Sequence, residues 1–404
     1  MSQTREPFAP EPIPRREEQY LDRVIDPSLA PVDLDHLAGI DRIRTPALVI
    51  GIQNVDHNLS TAIGLMGSPN RWRPHVKAAR LRWTMRKMVE HGISCFKCAT
   101  TLDLVVLGQL GVKDVLIAYP LVGPTATRVG ELAATWPRMR ISALVDRVEA
   151  LQEWPHRRVE AFLDLDVGMH RTGVPIDDIE GALRVAEAVS QAGVPLRGLH
   201  SYDGHLDHVD PAERASKVRG SLDKLCELVE AFSREGLSLE EIITSGSTTW
   251  RLALAHGGLA STGALHRVSP GAIVYGDLTS LAANVDAGLV PAAGVISRVI
   301  SAPLTGSVTC DAGHKAVSSD DGIPTCAIVG RPDLIPQRPS EEHLVVECMT
   351  TRRPPIGDVL LLVPRHVCTT VNNFNQALLV DRDRVVALET VSARGREPPI
   401  GGNR

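Results

Sequence analysis

The feature that most constrains the fold is a regular alternation of short β-prone runs with segments of helix length. The runs are PALVI (46–50), 71–75, SCFKC (94–98), VLIAY (115–119), ISALV (141–145), AFLDLD (161–166), GLHSY (198–202) and EIITS (241–245). Eight strands, each followed by helix-length sequence, predict a (β/α)8 barrel. A doubly wound open sheet would give the same alternation, but no GxGxxG follows the first strand to support its dinucleotide-binding form.

The sequence changes character near residue 280. From there, short β-branched runs separated by turn residues replace the helical periodicity, as in HLVVECM, DVLLLVPRHVCTTV and ALLVDRDRVVALETV. The length of 404 residues also exceeds the size of most single cores. We therefore predict a flexible, proline-rich arm over residues 1–40, the barrel over 41–280 and a β-rich domain over 281–404.

Charge and hydropathy favour a small-molecule enzyme of the cytoplasm. The net charge is −5 and the pI near 6.3, with no basic run, which argues against nucleic-acid binding. The opening residues lack the apolar region of a signal peptide. The most apolar later stretch, GLVPAAGVISRVISAPL, is interrupted by Arg298 and two prolines, which argues against a membrane span.

The cysteines do not indicate a disulfide framework. There are seven of them, scattered along a chain without an export signal. Cys95 and Cys98 form a CxxC, but no second CxxC exists to complete a zinc site. We predict that both are strand residues rather than a redox or metal pair.

Several polar clusters fall where the predicted strands end, which is where a barrel keeps its active residues. RPHVK places Lys77 after a strand; LDLDVGMHR and SYDGHLDH follow two others. TSGSTTW (244–250) follows the eighth predicted strand, a common phosphate-binding position, although a helix N-cap would use the same residues. SPGAIVYGD (269–277) could add backbone N–H groups. A lysine with a phosphate cup indicates pyridoxal phosphate.

A possible metal pair lies in the second domain. PRHVC places His366 and Cys368 two residues apart. In a strand, both side chains would project from one face, as a shared metal requires. Imidazole and thiolate suit zinc or a similar ion, with open positions for water or substrate.

The ordered set of motifs resembles the D-threonine aldolase and D-serine dehydratase family, fold type III pyridoxal-phosphate enzymes related to alanine racemase. The resemblance covers roughly residues 42–390 and rests on TPALVI, RPHVK, DVGMHRTGV, GLHSYDGH, GSTTW, SPGAIVYGD, DAGHKAVSSD, SEEH and PRHVC. It implies a cofactor-binding barrel followed by a β-domain, a homodimer, and a divalent metal (zinc, manganese or magnesium) near pyridoxal phosphate.

The resemblance also implies roles for individual residues. Lys77 matches the Schiff-base lysine, and His366 with Cys368 matches the metal pair. Lys77, His205 and Tyr202 are the predicted catalytic residues. The predicted cofactor-binding set is Lys77, Arg171, Tyr202, Ser245, Gly246, Ser247, Thr248, Ser269, Gly271, Ala272 and Tyr275. The chain departs from the family at Ala78-Ala79-Arg80, where a histidine is common, and at Ser269, where many relatives have arginine.

These residues predict a lyase acting on a D-β-hydroxy-α-amino acid. An aldolase would break the Cα–Cβ bond and release glycine and an aldehyde. A D-serine or 3-hydroxy-D-aspartate dehydratase would instead use Lys77 to remove the α-proton and would release a keto acid and ammonia. A racemase and a non-catalytic carrier of pyridoxal phosphate are further alternatives, and a large second domain with a metal pair argues against the carrier.

Overall fold

The structure is a computed structural model that describes residues 26–155 and 158–400. Its strands are β1 (Ala47–Gly51), β2 (Cys95–Cys98), β3 (Asp114–Pro120), β4 (Arg140–Val145), β5 (Val159–Asp166), β6 (Val174–Pro175), β7 (Leu196–Ser201), β8 (Glu241–Thr244), β9 (Leu265–Val268), β10 (Ala293–Ser301), β11 (Ser307–Cys310), β12 (Cys326–Ile328), β13 (Leu334–Pro336), β14 (Leu344–Cys348), β15 (Val359–Pro364), β16 (Gln376–Asp381) and β17 (Arg384–Thr390). Its α-helices are α1 (Ile52–Met66), α2 (Arg82–Glu90), α3 (Thr101–Gln109), α4 (Gly123–Thr135), α5 (Ile179–Gln191), α6 (Pro211–Arg234), α7 (Trp250–Leu254), α8 (Gly257–Ala260), α9 (Leu278–Ala282) and α10 (Val367–Asn372).

The first sheet is a closed parallel barrel, as predicted. Its strands run in the order β2-β3-β4-β5-β7-β8-β9, and every pairing is parallel. The segment 72–76 closes the ring between β9 and β2. Arg73 N–H donates to the Val268 carbonyl at 3.0 Å, and Lys97 N–H donates to the Pro74 carbonyl at 2.9 Å. With this segment the barrel has eight strand positions. The chain leaves the segment at Lys77.

One of the eight predicted barrel strands was wrong. The apolar run 46–50 forms β1, which pairs antiparallel with β10 and parallel with β16 in the second sheet. The eighth barrel position belongs to β9, whose sequence LHRV was not predicted to be a strand. An apolar run is buried equally well in either sheet, so its periodicity could not assign it. β9 carries His266 and Arg267, which obscured it.

The helix that follows Lys77 begins only after a turn. α2 starts at Arg82, because residues 78–81 form turns in which Arg80 has a φ of +50°. Gly92, just past the end of α2, has a φ of +86°, a conformation that favours glycine. The turn after Lys77 thus separates the barrel segment from its helix and keeps the lysine at the barrel mouth.

The end of the barrel away from Lys77 is filled by charge rather than by an apolar layer. Arg73 is fully buried and bonds Glu241 through Nε at 2.7 Å and Asp114 through Nη1 at 2.9 Å. Arg197 also contacts both carboxylates, at 3.0 Å to Glu241. Each buried charge therefore has a partner, as burial requires.

The second sheet has nine strands and confirms the β-rich character predicted for the C-terminal region. Its main order is β13-β14-β11-β10-β1-β16-β17, with β15 pairing with β10 and β12. The division of the chain near residue 280 stays a prediction, because β1 from the N-terminal side completes this sheet.

Most of the predicted arm, residues 1–25, lies outside the described residues. Residues 26–40 differ from a flexible arm, since Val32 and Leu37 are buried against the second sheet. Cys95 and Cys98 are both buried residues of β2, as expected. Among the helices that the structure describes, none is long and apolar enough to cross a bilayer.

Candidate active site

A cavity that is partly open to solvent lies where the carboxyl ends of the barrel strands face the second sheet. It brings together most of the predicted site residues. Those that line it are Lys77, Tyr202, Gly246, Ser247, Thr248, Ser269, Gly271, Ala272, His366 and Cys368. Residues from the two ends of the sequence therefore meet in one space.

The backbone of Lys77 is held by two neighbouring side chains. Its N–H lies 3.3 Å from His75 Nδ1, and its carbonyl accepts a hydrogen bond from Arg80 Nε at 3.0 Å. The ammonium nitrogen lies over the ring of Tyr202, 5.4 Å from the centroid. Arg171 lies 5.3 Å from the same centroid. Tyr202 therefore presents its ring to both the lysine and an arginine, and this flat surface is suited to a planar ring.

The residues predicted to form the phosphate cup lie on two loops that meet at Ser247. The N–H groups of Gly271 and Ala272 both point at Ser247 Oγ, at 3.2 and 3.0 Å. A side chain at Gly271 would bring Cβ within 2.4 Å of the His75 carbonyl oxygen, so only glycine allows this approach. Two N–H donors and a hydroxyl thus lie together, a set of groups that is able to hydrogen-bond a phosphate.

The Thr248 side of the cup is fixed by carboxylates. Gly246 N–H donates to Asp203 Oδ1 at 3.0 Å, and Thr248 Oγ1 donates to Asp207 Oδ1 at 2.5 Å. Burial raises the pKa of Asp203 to about 6. Thr249 occupies the N-cap position of α7, but its hydroxyl makes no capping bond and donates instead to Asp203 Oδ1 at 2.9 Å.

Four predicted residues do not line the cavity, and their roles stay predictions. Ser245 has a φ of +65° and faces a smaller space behind the cup. Tyr275 is buried, and its hydroxyl bonds Thr84 at 2.6 Å. His205 and Arg171 are exposed, although Arg171 stacks on Tyr202.

His366 and Cys368 meet at the cavity, but not in a strand as predicted. His366 is the N-cap residue of α10, and Cys368 lies in its first turn. The imidazole contacts the thiol, and its Nδ1 bonds Asp320 Oδ2 at 2.8 Å. Burial opposes protonation, but Cys368 and Asp320 outweigh it and raise the pKa of His366 to about 12.

This arrangement is typical of a metal-ligating histidine, which donates its second nitrogen to a carboxylate. Over the described part of the chain, no three His, Cys, Asp or Glu side chains are grouped to hold a metal. Two protein ligands would leave the remaining positions to water or substrate. Metal binding there must release the proton that His366 holds.

Four polar residues at the site were not predicted from the sequence. Lys97 and His75 line the cavity, and His200 lies beside Lys97 with its Nε2 3.2 Å from Lys97 Nζ. A lysine and a histidine inside apolar strands, in SCFKC and GLHSY, were the available signals. The cavity also contains Asp207, which the pattern did not single out.

The residues present fit both groups that the resemblance implies. An amine, a flat aromatic ring and a set of hydrogen-bond donors match the aldehyde, the ring and the phosphate of the cofactor, and all three line one cavity. The imidazole–thiol pair opens onto the same cavity. A metal bound by it would face whatever the lysine holds.

Comparison with known proteins agrees with this geometry. The family described as "Alanine racemase, N-terminal domain" matches residues 50–279, and the family described as "Putative serine dehydratase domain" matches residues 292–380. The two matches together span the barrel and most of the second sheet.

Named relatives are similar over nearly their whole length. D-threonine aldolase from Arthrobacter sp. is 30% identical over 370 residues, 88% of this chain and 93% of the relative. D-threo-3-hydroxyaspartate dehydratase from Delftia sp. is 25% identical over 369 residues, 84% of this chain and 95% of the relative.

A solved structure, D-threonine aldolase from Filomicrobium marinum, aligns with a TM-score of 0.79 at 27% identity, covering 89% of this chain and 97% of the other. The family match over more than half of the chain and the full-length similarity to the Arthrobacter protein lead to the same assignment. The chain belongs to the D-threonine aldolase and D-serine dehydratase family, whose barrel is that of alanine racemase.

Proposed function

We propose that the protein is a lyase that depends on pyridoxal phosphate and a divalent metal and cleaves a D-β-hydroxy-α-amino acid to glycine and an aldehyde. The observation that carries this proposal is the meeting of Lys77, the Ser247 cup and the His366–Cys368 pair in one cavity. Relatives named as aldolases and as a dehydratase support it. The family resemblance also leads us to propose a homodimer in the cytoplasm.

The barrel residues of the cavity would bind the cofactor and move a proton at the substrate α-carbon. Pyridoxal phosphate, when bound, supplies an aldehyde for the substrate amine and a ring that withdraws electrons from the α-carbon. Lys77 would hold the cofactor and, once released, accept or donate a proton near that carbon. The N–H groups of Gly271 and Ala272 would hold the phosphate. Tyr202 would keep the ring in plane.

The metal pair would act at the substrate hydroxyl. His366 and Cys368 would hold a divalent ion, which lowers the pKa of a bound hydroxyl group. Asp320 would keep the imidazole oriented, with its second nitrogen directed to the ion. The substrate would therefore lie between Lys77 and α10.

Cys368 favours a second candidate function, the dehydratase. A D-threo-3-hydroxyaspartate dehydratase has been solved as a cysteine-to-alanine variant in the metal-free form. A cysteine connected with metal content in that dehydratase supports a thiolate ligand at Cys368 and, with it, the dehydratase alternative. In this alternative Lys77 removes the α-proton, the hydroxyl group leaves, and a keto acid and ammonia result.

The proposal is tested by finding which lysine carries the cofactor. Borohydride reduction should fix the cofactor covalently to the lysine that holds it, and peptide mass spectrometry should locate it on Lys77. The second cavity amine, Lys97, is an internal control on the same peptide map. Lys77→Ala should abolish the absorption band of lysine-bound cofactor, whereas Lys87→Ala on α2 should keep it. Label on another lysine would contradict the assignment.

A further inference from the structure

A second amine lies beside Lys77, and the lyase proposal gives it no role. Lys97 is on β2, next to the segment that carries Lys77; Val76 N–H donates to its carbonyl at 2.8 Å. Lys97 is 2% exposed and lines the same cavity. Its nitrogen lies 5.7 Å from the centroid of the Tyr202 ring, close to the 5.4 Å of Lys77.

A buried histidine and carboxylate lie in line behind this amine. Lys97 Nζ is 3.2 Å from His200 Nε2, and His200 Nδ1 is 2.7 Å from Asp164 Oδ1. The other Asp164 oxygen accepts a hydrogen bond from Thr172 Oγ1 at 2.7 Å. The carboxylate therefore holds the proton on Nδ1, which leaves Nε2 as an acceptor for a Lys97 proton.

This order of groups is that of a base oriented by a carboxylate and bonded to a reactive side chain. Lys97, His200 and Asp164 are each at most 3% exposed. Buried ionisable groups are costly, and a chain has no structural need for three of them where an apolar layer would pack. Because Lys97 lines the cavity and the other two lie in line behind it, the trio has an alternative purpose there.

The charges that face Lys97 come from three parts of the barrel. His75 and Lys77 lie on the closing segment, Arg171 follows β5, and Asp203 follows β7. Burial lowers the pKa of Lys97 to about 7, with the positive charges of Lys77 and Arg171 adding to it, against the opposing effect of Asp164 and Asp203.

We propose that Lys97, oriented by His200 and Asp164, is a second proton donor and acceptor of the active-site cavity. In one state, Nζ holds three protons and donates one hydrogen bond to the unprotonated Nε2. In the other, that proton has moved to Nε2, the imidazolium lies between Asp164 and a neutral amine, and the lone pair of Nζ accepts a proton from the cavity once Nζ turns away from the Nε2–H group. One proton moves and the total charge of the trio is unchanged.

The inference rests on the proposed lyase function and deepens it. Cleavage next to the α-carbon leaves that carbon in need of a proton, and the released Lys77 need not supply it alone. A neutral or protonated Lys97 within the same cavity is a second source. The three residues would exchange a proton with the cavity while the bound substrate excludes water from it.

The first test is spectroscopic and needs no turnover. The absorption of the bound cofactor is followed from about pH 5 to pH 10 in the wild type, Lys97→Met and Asp164→Asn. We expect a transition near neutral pH in the wild type that is lost in Lys97→Met. Loss of the Asp164 charge should move it about 1 pH unit lower, since a nearby opposite charge favours the ammonium. Identical titrations in the wild type and Lys97→Met would overturn the inference.

The second test separates proton transfer from a fixed charge. Lys97→Met should lower kcat by about 10²- to 10⁴-fold, the usual contribution of a general acid or base, with KM and cofactor affinity nearly unchanged. Lys97→Arg should be similarly slow, because guanidinium does not release a proton. Lys113→Met is a control at an exposed lysine directly before β3, and it should behave as the wild type. Wild-type kcat in Lys97→Arg would overturn the inference.

These outcomes are distinguishable from failure of the lyase proposal. If the lyase proposal is wrong, the wild type itself carries no lysine-bound cofactor, or Lys77→Ala keeps it. If only the inference is wrong, the wild type and Lys77→Ala behave as expected, and the Lys97 variants keep the wild-type titration and kcat.

Discussion

Substitution of Gly271 tests the phosphate cup most directly. In Gly271→Ala, the new Cβ would lie 2.4 Å from the His75 carbonyl oxygen, against a lower limit near 3.0 Å for real contacts. The difference, 3.0 − 2.4 = 0.6 Å, must be taken up by the loop or by the segment that carries Lys77. Because the opposing atom is backbone, neither side moves freely.

A displacement of this size would misdirect the N–H groups of Gly271 and Ala272. A hydrogen bond to a charged group contributes about 1.5–3 kcal/mol. Loss of one such bond to phosphate weakens binding by about 10- to 100-fold, since about 1.4 kcal/mol corresponds to a factor of ten. We therefore expect the Kd for pyridoxal phosphate to rise by that factor.

The assay is titration of cofactor-free protein with pyridoxal phosphate, followed by absorption. Gly220→Ala is the matched control, because Gly220 lies within α6 with nothing within 4 Å of its new Cβ. Chemical denaturation should show that Gly271→Ala is folded. Ser247→Ala, which removes only the cup hydroxyl, is a milder second probe. A folded Gly271→Ala with wild-type affinity would refute the cup.

Three further predictions concern the metal, the ionic barrel layer and pH. Chelation, or His366→Ala, should abolish lyase activity while the absorption of bound cofactor persists; activity after complete metal removal, checked by elemental analysis, would contradict the metal role. Glu241→Ala should lower the free energy of unfolding by about 3–5 kcal/mol, because it removes a carboxylate that pairs with buried arginines. Glu240→Ala, at an exposed carboxylate, should lower it by about 0–1 kcal/mol. Denaturant titration compares the two variants, and equal losses would contradict the reasoning. Burial lowers the pKa of His266 to about 4. Above pH 6.5, His266 is unprotonated in both the folded and the unfolded protein. As the pH falls from 6.5 to 4, only the unfolded protein gains the proton, so the free energy of unfolding should fall by up to about 3 kcal/mol relative to that of His266→Asn. The same pH dependence of unfolding in the two proteins would contradict the assignment.

The barrel was readable from sequence where local pattern and burial agree. The runs between residues 94 and 245 are short, apolar and bounded by turn residues, and each pairs with a neighbour along the chain. The assignment of β1 to the barrel was wrong, because its partners β10 and β16 lie more than two hundred residues away in the sequence. No local pattern carries that information.

The site was readable where a motif places polar residues after a strand. Lys77 and the Ser247 loop follow this rule, and both line the cavity. Lys97 and His200 lie within strands, where a charged side chain reads as an interruption of the apolar pattern. Only the closed barrel shows that both point to the same interior.

The helix around Cys368 shows the same limit. His366 and Cys368 were expected on one face of a strand, where residues two apart project together. They meet instead because His366 caps the short helix α10 and Cys368 lies in its first turn. The identity of the pair was visible in the sequence, and the backbone that joins it was not.

The measurement that tests the central claim most directly is product analysis with D-threonine. Purified protein with pyridoxal phosphate and a divalent metal is incubated with D-threonine, and with L-threonine as the stereochemical control. The account predicts equal amounts of glycine and acetaldehyde from the D isomer alone. A keto acid with ammonia would contradict aldol cleavage and assign the dehydratase alternative. Absence of turnover with any D-β-hydroxy-α-amino acid, with cofactor and metal bound, would contradict the lyase itself.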